Sequence, residues 1–88
     1  MAIFLLAQTS LVDTSKLAKK LQKMFPDEHY VAGAGAWLVS TEGTAQNLSQ
    51  ELGISEGEIT SVIVAEISSY HGRADPAIWS WIKEKWEG

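Results

Sequence analysis

The sequence predicts a single α+β domain over residues 1–88, in which the elements follow the order β-α-β-β-α-β and a further helix is added at the C-terminus. Short runs of strand-forming residues alternate with segments whose apolar residues repeat with the period of a helix. No linker rich in Pro, Gly or Ser interrupts the 88 residues. A domain of this size buries only about 60–65% of its unfolded surface, so we expect a partner chain to help complete its core.

The first strand is predicted at residues 2–8, because both of its alternating sets of side chains are apolar. Ile3 and Leu5 alternate with Phe4 and Leu6. A strand that is apolar on both faces belongs inside a sheet that is covered on both sides.

The first helix is predicted from about residue 14 to residue 25. Leu17, Leu21 and Met24 repeat at i, i+4 and i+7, which is the spacing of an amphipathic helix. Asp13 is the expected N-cap, because its carboxylate can accept hydrogen bonds from the free amides of the first turn.

Residues 29–32 and 36–41 are predicted to form a hairpin, and the returning strand is again apolar on both sides. Gly33-Ala34-Gly35 between them supplies the positive φ that a tight turn requires. A short second helix is predicted over residues 45–52, with Thr44 as its N-cap and Gly53 as the left-handed residue after its end.

Residues 61–67 have the highest β-propensity in the chain, and this strand is also apolar on both faces. The C-terminal helix is predicted over residues 75–87, since Asp75-Pro76 places an N-cap before a proline at the first helical position. It carries the large apolar side chains Ile78, Trp79, Trp81, Ile82 and Trp86.

Together these elements predict a ferredoxin-like βαββαβ sandwich with an added C-terminal helix. In that arrangement the first and third strands are central, and two helices cover one face of the sheet. Because three strands are apolar on both sides, the final helix, a second copy of the chain, or both must cover the second face. We therefore predict a homodimer. The residues predicted at its interface are Trp79, Trp81, Ile82, Trp86, Val62 and Val64.

Composition excludes several function classes. The chain contains no cysteine, which removes disulfides, thiolate nucleophiles and cysteine-bearing zinc sites. We predict no catalytic residue, no metal site and no cofactor, although His29 and His71 as a metal pair stay open as an alternative. No apolar run is long enough to span a membrane, and the absence of cysteine and of a signal segment indicates a cytoplasmic protein.

Charge is distributed unevenly along the chain. Residues 1–25 hold four lysines against one aspartate, whereas residues 26–88 hold three basic residues against ten acidic ones, and the net charge is −4. The lysines form either a solvated helix face, which is the commoner case, or a contact for phosphate groups. The candidate phosphate or nucleic-acid ligands are Lys16, Lys19, Lys20, Lys23, His71 and Arg73.

His71 and Arg73 lie in the polar loop that precedes the final helix, where they could receive a phosphate near the helix N-terminus. The alternative, which we favour, is that Asp75 caps the helix, Gly72 makes the turn and Arg73 pairs with a surface carboxylate.

The stretch Gly35-Ala36-Trp37-Leu38-Val39-Ser40-Thr41, followed by a capped helix, an apolar strand and a closing Trp-Ile-Lys-Glu helix, resembles the small bacterial proteins of the SinR family. That group is similar in turn to the second CRISPR-associated protein, a ferredoxin-like dimer whose relatives include metal-dependent nucleases. The resemblance implies an Asp at the end of the first strand in the nuclease members. This chain has the neutral Gln8 there, which is a poor ligand for a hard metal.

These observations predict a small non-enzymatic interaction module that acts as a homodimer, with a protein or nucleic-acid partner. The resemblance implies a setting in a bacterial or phage defence system or a toxin-type system. Two alternatives belong to other classes. One is a metal-dependent nuclease with a displaced site, and the other is a nucleic-acid-binding regulator that uses the lysines of the first helix.

Overall fold

A computed structural model describes residues 2–9, 14–54, 61–72 and 76–87. Within these residues the chain forms an α+β fold with one four-stranded antiparallel sheet and three helices. The strands are β1 (Ala2–Gln8), β2 (His29–Gly33), β3 (Ala36–Thr41) and β4 (Val62–Glu66). The helices are α1 (Ser15–Met24), α2 (Ala45–Glu51) and α3 (Pro76–Glu87). The α+β class predicted from the sequence is confirmed.

The strand order across the sheet is β2-β3-β1-β4, so β1 and β3 are the central strands. Leu5 lies opposite Leu38 of β3 on one side and opposite Ala65 of β4 on the other. The pairing of β2 with β3 is interrupted by a shift of register between Val31 and Gly33. The pairing of β1 with β4 contains no such shift.

The main core lies on one face of the sheet, which we call the first face. Both α1 and α2 pack there against the side chains of β1 and β3 that point to that side. Removing this apolar surface from water is the largest favourable term in the folding of the domain. Its fully or almost fully buried members are Phe4, Leu6, Leu17, Leu21, Trp37, Val39, Leu48 and Leu52.

The opposite face of the sheet, the second face, is covered in part by α3. Ile82 of α3 is buried against Ile3 of β1 and Leu38 of β3, and partly buried aromatic side chains surround this contact. The final helix therefore packs on the sheet of its own chain. An ion pair of 3.1 Å joins Lys85 Nζ of α3 to the carboxylate of Glu28, the residue just before β2.

The prediction that β1 and β4 are buried on both faces is wrong for part of each strand. Leu5 is 37% exposed and Ile63 is 59% exposed. The reason is that the sheet is wider than the single helix that packs on its second face. A helix is about 10 Å across, whereas four strands at about 4.8 Å spacing span roughly 15–20 Å, so a single helix cannot cover the whole second face.

The helices α2 and α3 begin where the sequence predicts them to begin. The Thr44 hydroxyl accepts from the Asn47 amide at 3.1 Å in a complete capping box, and Gly53 has a φ of 77° just after α2. The α3 helix begins at Pro76, as expected, while its predicted cap Asp75 lies outside the described residues.

The predicted cap of α1 is wrong by one residue. Thr14 occupies the N-cap position, and Asp13 lies outside the described residues. The Thr14 backbone is already helical, with φ −93° and ψ −7°, and its side chain makes no capping hydrogen bond. An N-cap side chain normally reaches the first turn from an extended backbone, which Thr14 does not have.

Candidate interaction surface

The four predicted lysines of α1 do not have the same surroundings. Lys16, Lys19 and Lys23 are exposed, and α1 contains no acidic residue that would offset their charge. Lys20 is only partly exposed, and its Nζ donates to the Leu52 carbonyl oxygen at 2.9 Å. This lysine joins α1 to the end of α2. The local sequence does not distinguish Lys20 from the other three lysines, because its contact spans 32 residues of chain.

The structure does not gather the predicted phosphate ligands into one site. The lysines belong to α1 on the first face of the sheet. His71 is exposed and follows Tyr70, which packs against α3, the helix of the second face. Arg73 lies outside the described residues, as does Asp75, the predicted cap of α3.

Aromatic side chains form two groups around α3. The Tyr70 ring stacks on Trp79, with centroids 5.9 Å apart at 17°, and meets the edge of Trp86 at 5.3 Å and 64°. The Tyr30 ring of β2 lies 5.9 Å from Trp81, and the Lys85 ammonium sits 6.0 Å from the centre of the same ring. Through these contacts α3 packs against Tyr30 of β2 and against Tyr70, which follows β4.

The residues predicted at a dimer interface are largely engaged within one chain. Ile82 is buried in the second-face contact, and Trp79 and Trp81 pack beside it. Trp86 keeps 44% of its surface exposed. The side chains of Val62 and Val64 lie against the first-face core. Their role in contact with another chain stays a prediction.

The polar side chains that the structure describes form no cluster for a metal ion. His29 donates from Nδ1 to the Phe25 carbonyl oxygen, a contact that holds the ring at the start of β2. Across residues 2–9, 14–54, 61–72 and 76–87, no three His, Cys, Asp or Glu side chains lie close enough together to hold a metal ion. Gln8, the neutral residue at the end of β1, is buried.

Two open grooves are lined by residues that the structure describes. One, of about 390 Å³, lies beside Phe25, Ser40 and Thr41 and is bordered by two carboxylates, of which Glu28 is the partner of Lys85. The other, of about 320 Å³, lies between the start of β1 and Trp86. Neither is enclosed in the way that small-molecule sites usually are. None of the described helices is long and apolar enough to cross a membrane.

The uncovered part of the second face is a distinct apolar surface. We call Leu5, Ile63 and Ala65 the apolar strip. Leu5 pairs directly with Ala65, and Ile63 lies opposite the half-buried Ala7. All three members of the strip are exposed, and they lie next to the β4 edge of the sheet.

The β4 residues predicted at the interface, Val62 and Val64, belong to the other alternating set of this strand. Both sets are apolar, so the alternation carries no signal about which one faces the covered side. The register with β1 decides it, because Val64 pairs with Leu6, whose side chain enters the first-face core, and Val62 lies on the same face.

No protein-family model matches this chain, and neither a curated protein nor a solved structure matches it.

Proposed function

We propose that the chain is a small non-enzymatic interaction module that acts as a homodimer. The observation that carries this proposal is the apolar strip, which α3 leaves open beside an edge strand. Burying a side chain such as Ile63 is favourable by roughly 1.5–3 kcal/mol. A second copy of the chain brings the same strip, and a two-fold contact brings both strips together.

We assign the fold to the ferredoxin-like arrangement with one added helix. The central position of β1 and β3 supports this assignment, as does the packing of α1 and α2 on one face. The α3 helix is an addition to that arrangement and takes up much of the second face. The resemblance to the SinR family supports the dimer, and it is our reason for proposing a cytoplasmic role in a defence or toxin-type system.

The test is the mass of the protein in solution, measured by light scattering over a hundredfold range of concentration. We expect twice the mass of the 9.6 kDa chain at the upper end. The variant Ile63→Lys should be a folded monomer, because it removes apolar surface from the contact and places a lysine on the edge strand, which disfavours pairing with another chain.

Val31→Lys is the matched control, since Val31 is 60% exposed and also lies on an edge strand, but outside the apolar strip. It should keep the mass of the wild type. A wild-type protein that stays monomeric throughout, or a dimer that both substitutions weaken equally, would overturn the proposal.

A second candidate, a nucleic-acid-binding regulator, is favoured by the three exposed lysines of α1. Their charge faces solvent on a helix without acidic residues, which suits the phosphate backbone of a nucleic acid. The metal-dependent nuclease has no comparable support from any residue that the structure describes.

A further inference from the structure

We infer that two copies of the chain join through their β4 edges, as antiparallel neighbours with Val64 opposite Val64, to make one continuous eight-stranded sheet. This inference rests on the proposed homodimer and specifies its contact surface. The occupant is a second copy, because the hydrogen-bonding groups along β4 are complementary to those of the same strand turned by a two-fold axis.

The direction of the β4 backbone groups follows from the pairing with β1. Thr9 N donates to the Ser61 carbonyl oxygen at 2.9 Å, and Ile67 N donates to the Ile3 carbonyl oxygen at 2.8 Å. In an antiparallel pair, residues alternate between those that bond the neighbour and those that point away from it. Odd-numbered residues of β4 therefore bond β1, and the N–H and C=O groups of the even-numbered residues point outward.

The outward groups belong to Val62, Val64 and Glu66, and no strand of the described sheet lies beyond them. Proteins usually protect such an edge with a lysine, a proline or a bulge. The β4 sequence Val-Ile-Val-Ala-Glu contains no lysine and no proline, and its only charged residue is the last one, Glu66. Its register with β1 is regular, so it contains no bulge. This edge is therefore suited to accept another strand.

The other edge of the sheet is less suitable. Ser40 N donates to the Glu28 carbonyl oxygen at 2.8 Å, so the outward groups of β2 begin at His29 and continue at Val31. The register shift between Val31 and Gly33 then ends the regular run. A bulge bends its strand and disturbs further pairing, which leaves β4 as the edge with three consecutive outward residues.

The register with Val64 opposite Val64 uses all of the outward groups. It places Val62 opposite Glu66 of the second copy, and it forms about six backbone hydrogen bonds across the two-fold axis. Displaced registers leave an outward group of Val62 or Glu66 beyond the end of the opposing strand. No like charges lie opposite one another in the Val64-centred register, because each Glu66 faces an apolar residue.

The same register joins the two apolar strips. Ile63 comes to lie opposite Ala65 of the second copy, on the second face of the sheet, so that Leu5, Ala65 and Ile63 form a ladder across the boundary. The single contact thus pairs the free backbone edge and gives Ile63 and Ala65 apolar cross-strand neighbours at the same time. Each α3 stays on its own sheet and flanks this ladder.

Disulfide trapping tests the register, because the chain contains no cysteine of its own. Hydrogen-bonded antiparallel partners have Cα atoms about 5.5 Å apart, which lies within the range of a disulfide. We expect Val64→Cys to give a covalent dimer under mild oxidation, seen on a non-reducing gel. Val62→Cys is the matched control, since it is half-buried on the same face of the same strand.

Val62→Cys alone should not cross-link, because its counterpart in the second copy is about 14 Å away along the strand. Mixed with Glu66→Cys, it should give a covalent dimer. Amide exchange supplies a second measurement that needs no cysteine. In the wild-type dimer the Val62, Val64 and Glu66 amides should exchange at least tenfold more slowly than in the Ile63→Lys monomer, whereas the Ala65 amide should change far less.

These outcomes distinguish the β4 pairing from the homodimer on which it depends. A wild-type monomer at every concentration overturns both. A dimer in which the cysteines at 62 and 64 cross-link equally, or in which the three outward amides exchange as fast as in the monomer, overturns the β4 pairing and leaves the homodimer standing.

Discussion

Leu5 and Leu6 are neighbours in β1 that carry the same side chain in opposite surroundings. Leu6 points into the first-face core and is fully buried, whereas Leu5 belongs to the apolar strip and keeps 37% of its surface exposed. Successive side chains of a strand point to opposite faces, so the covering of each face decides what the same residue contributes to stability.

We predict that Leu6→Ala lowers the free energy of unfolding by about 2–5 kcal/mol, since it removes buried methyl groups and leaves a cavity. Leu5→Ala should cost clearly less, because water already reaches its side chain. Urea denaturation of both variants, at a concentration where the protein is monomeric, measures the difference. Equal losses would contradict the exposure of Leu5 in the single chain.

Among the elements, the two first-face helices differ in how they begin. In α2 the Thr44 hydroxyl accepts from the Asn47 amide, and the Asn47 side chain accepts in return from the Thr44 amide at 3.2 Å. In α1 the corresponding Thr14 makes no capping bond with its side chain. The stability of α1 therefore comes from the burial of Leu17 and Leu21 and not from its cap.

This difference predicts that Thr44→Ala destabilises the protein by about 1 kcal/mol, within the usual range for the loss of an N-cap. Thr14→Ala, the same substitution at the same helix position, should change stability by only a few tenths of a kcal/mol. Urea unfolding of the two variants compares them directly. A larger loss of stability at Thr14 would contradict the absence of a capping hydrogen bond from that side chain.

The α3 helix holds to the sheet through side chains of several kinds. Ile82 supplies the buried contact, Tyr70 adds two aromatic contacts, and the ion pair of Lys85 with Glu28 reaches the start of β2. The ion pair is partly exposed and contributes at most about 1 kcal/mol. The apolar and aromatic contacts therefore carry most of the attachment.

For the whole molecule, charge and apolar surface lie in different places. The exposed lysines are on α1 on the first face, and the apolar strip is on the second face beside β4. A dimer through β4 leaves the lysines of both copies free, so self-association and binding to an acidic partner are compatible.

The nucleic-acid alternative makes a separate prediction at this scale. Three phosphate contacts would give an association constant whose logarithm falls with the logarithm of salt concentration with a slope of about −3 for a duplex. Replacing Lys16, Lys19 and Lys23 by Gln should then abolish most of the affinity, measured by fluorescence anisotropy with a labelled oligonucleotide.

Lys83→Gln is the control for that measurement, because Lys83 is an exposed lysine on α3, away from the α1 face. It should bind as the wild type does. Binding that is insensitive to salt, or that both sets of substitutions weaken alike, would remove the lysines of α1 from consideration as a nucleic-acid surface.

Much of the fold could be predicted from the sequence, because its signals are local. The two-residue period of β1 and the helical period of α1 depend on residues within one element, as do the turn at Gly35, with a φ of 78°, and the cap at Thr44. These features placed strands and helices close to their observed bounds. They also indicated that the sheet is apolar on two sides.

By itself, then, the sequence determined the α+β class, the succession of elements and the need to cover a second sheet face. Only the tertiary structure decided that α3 covers its own sheet, that Lys20 is bound to Leu52, and that Ile63 and not Val64 lies on the open side. The physical reason is distance along the chain. Periodicity reports the two faces of each element, whereas register and packing between remote segments decide which face meets the core and which meets water.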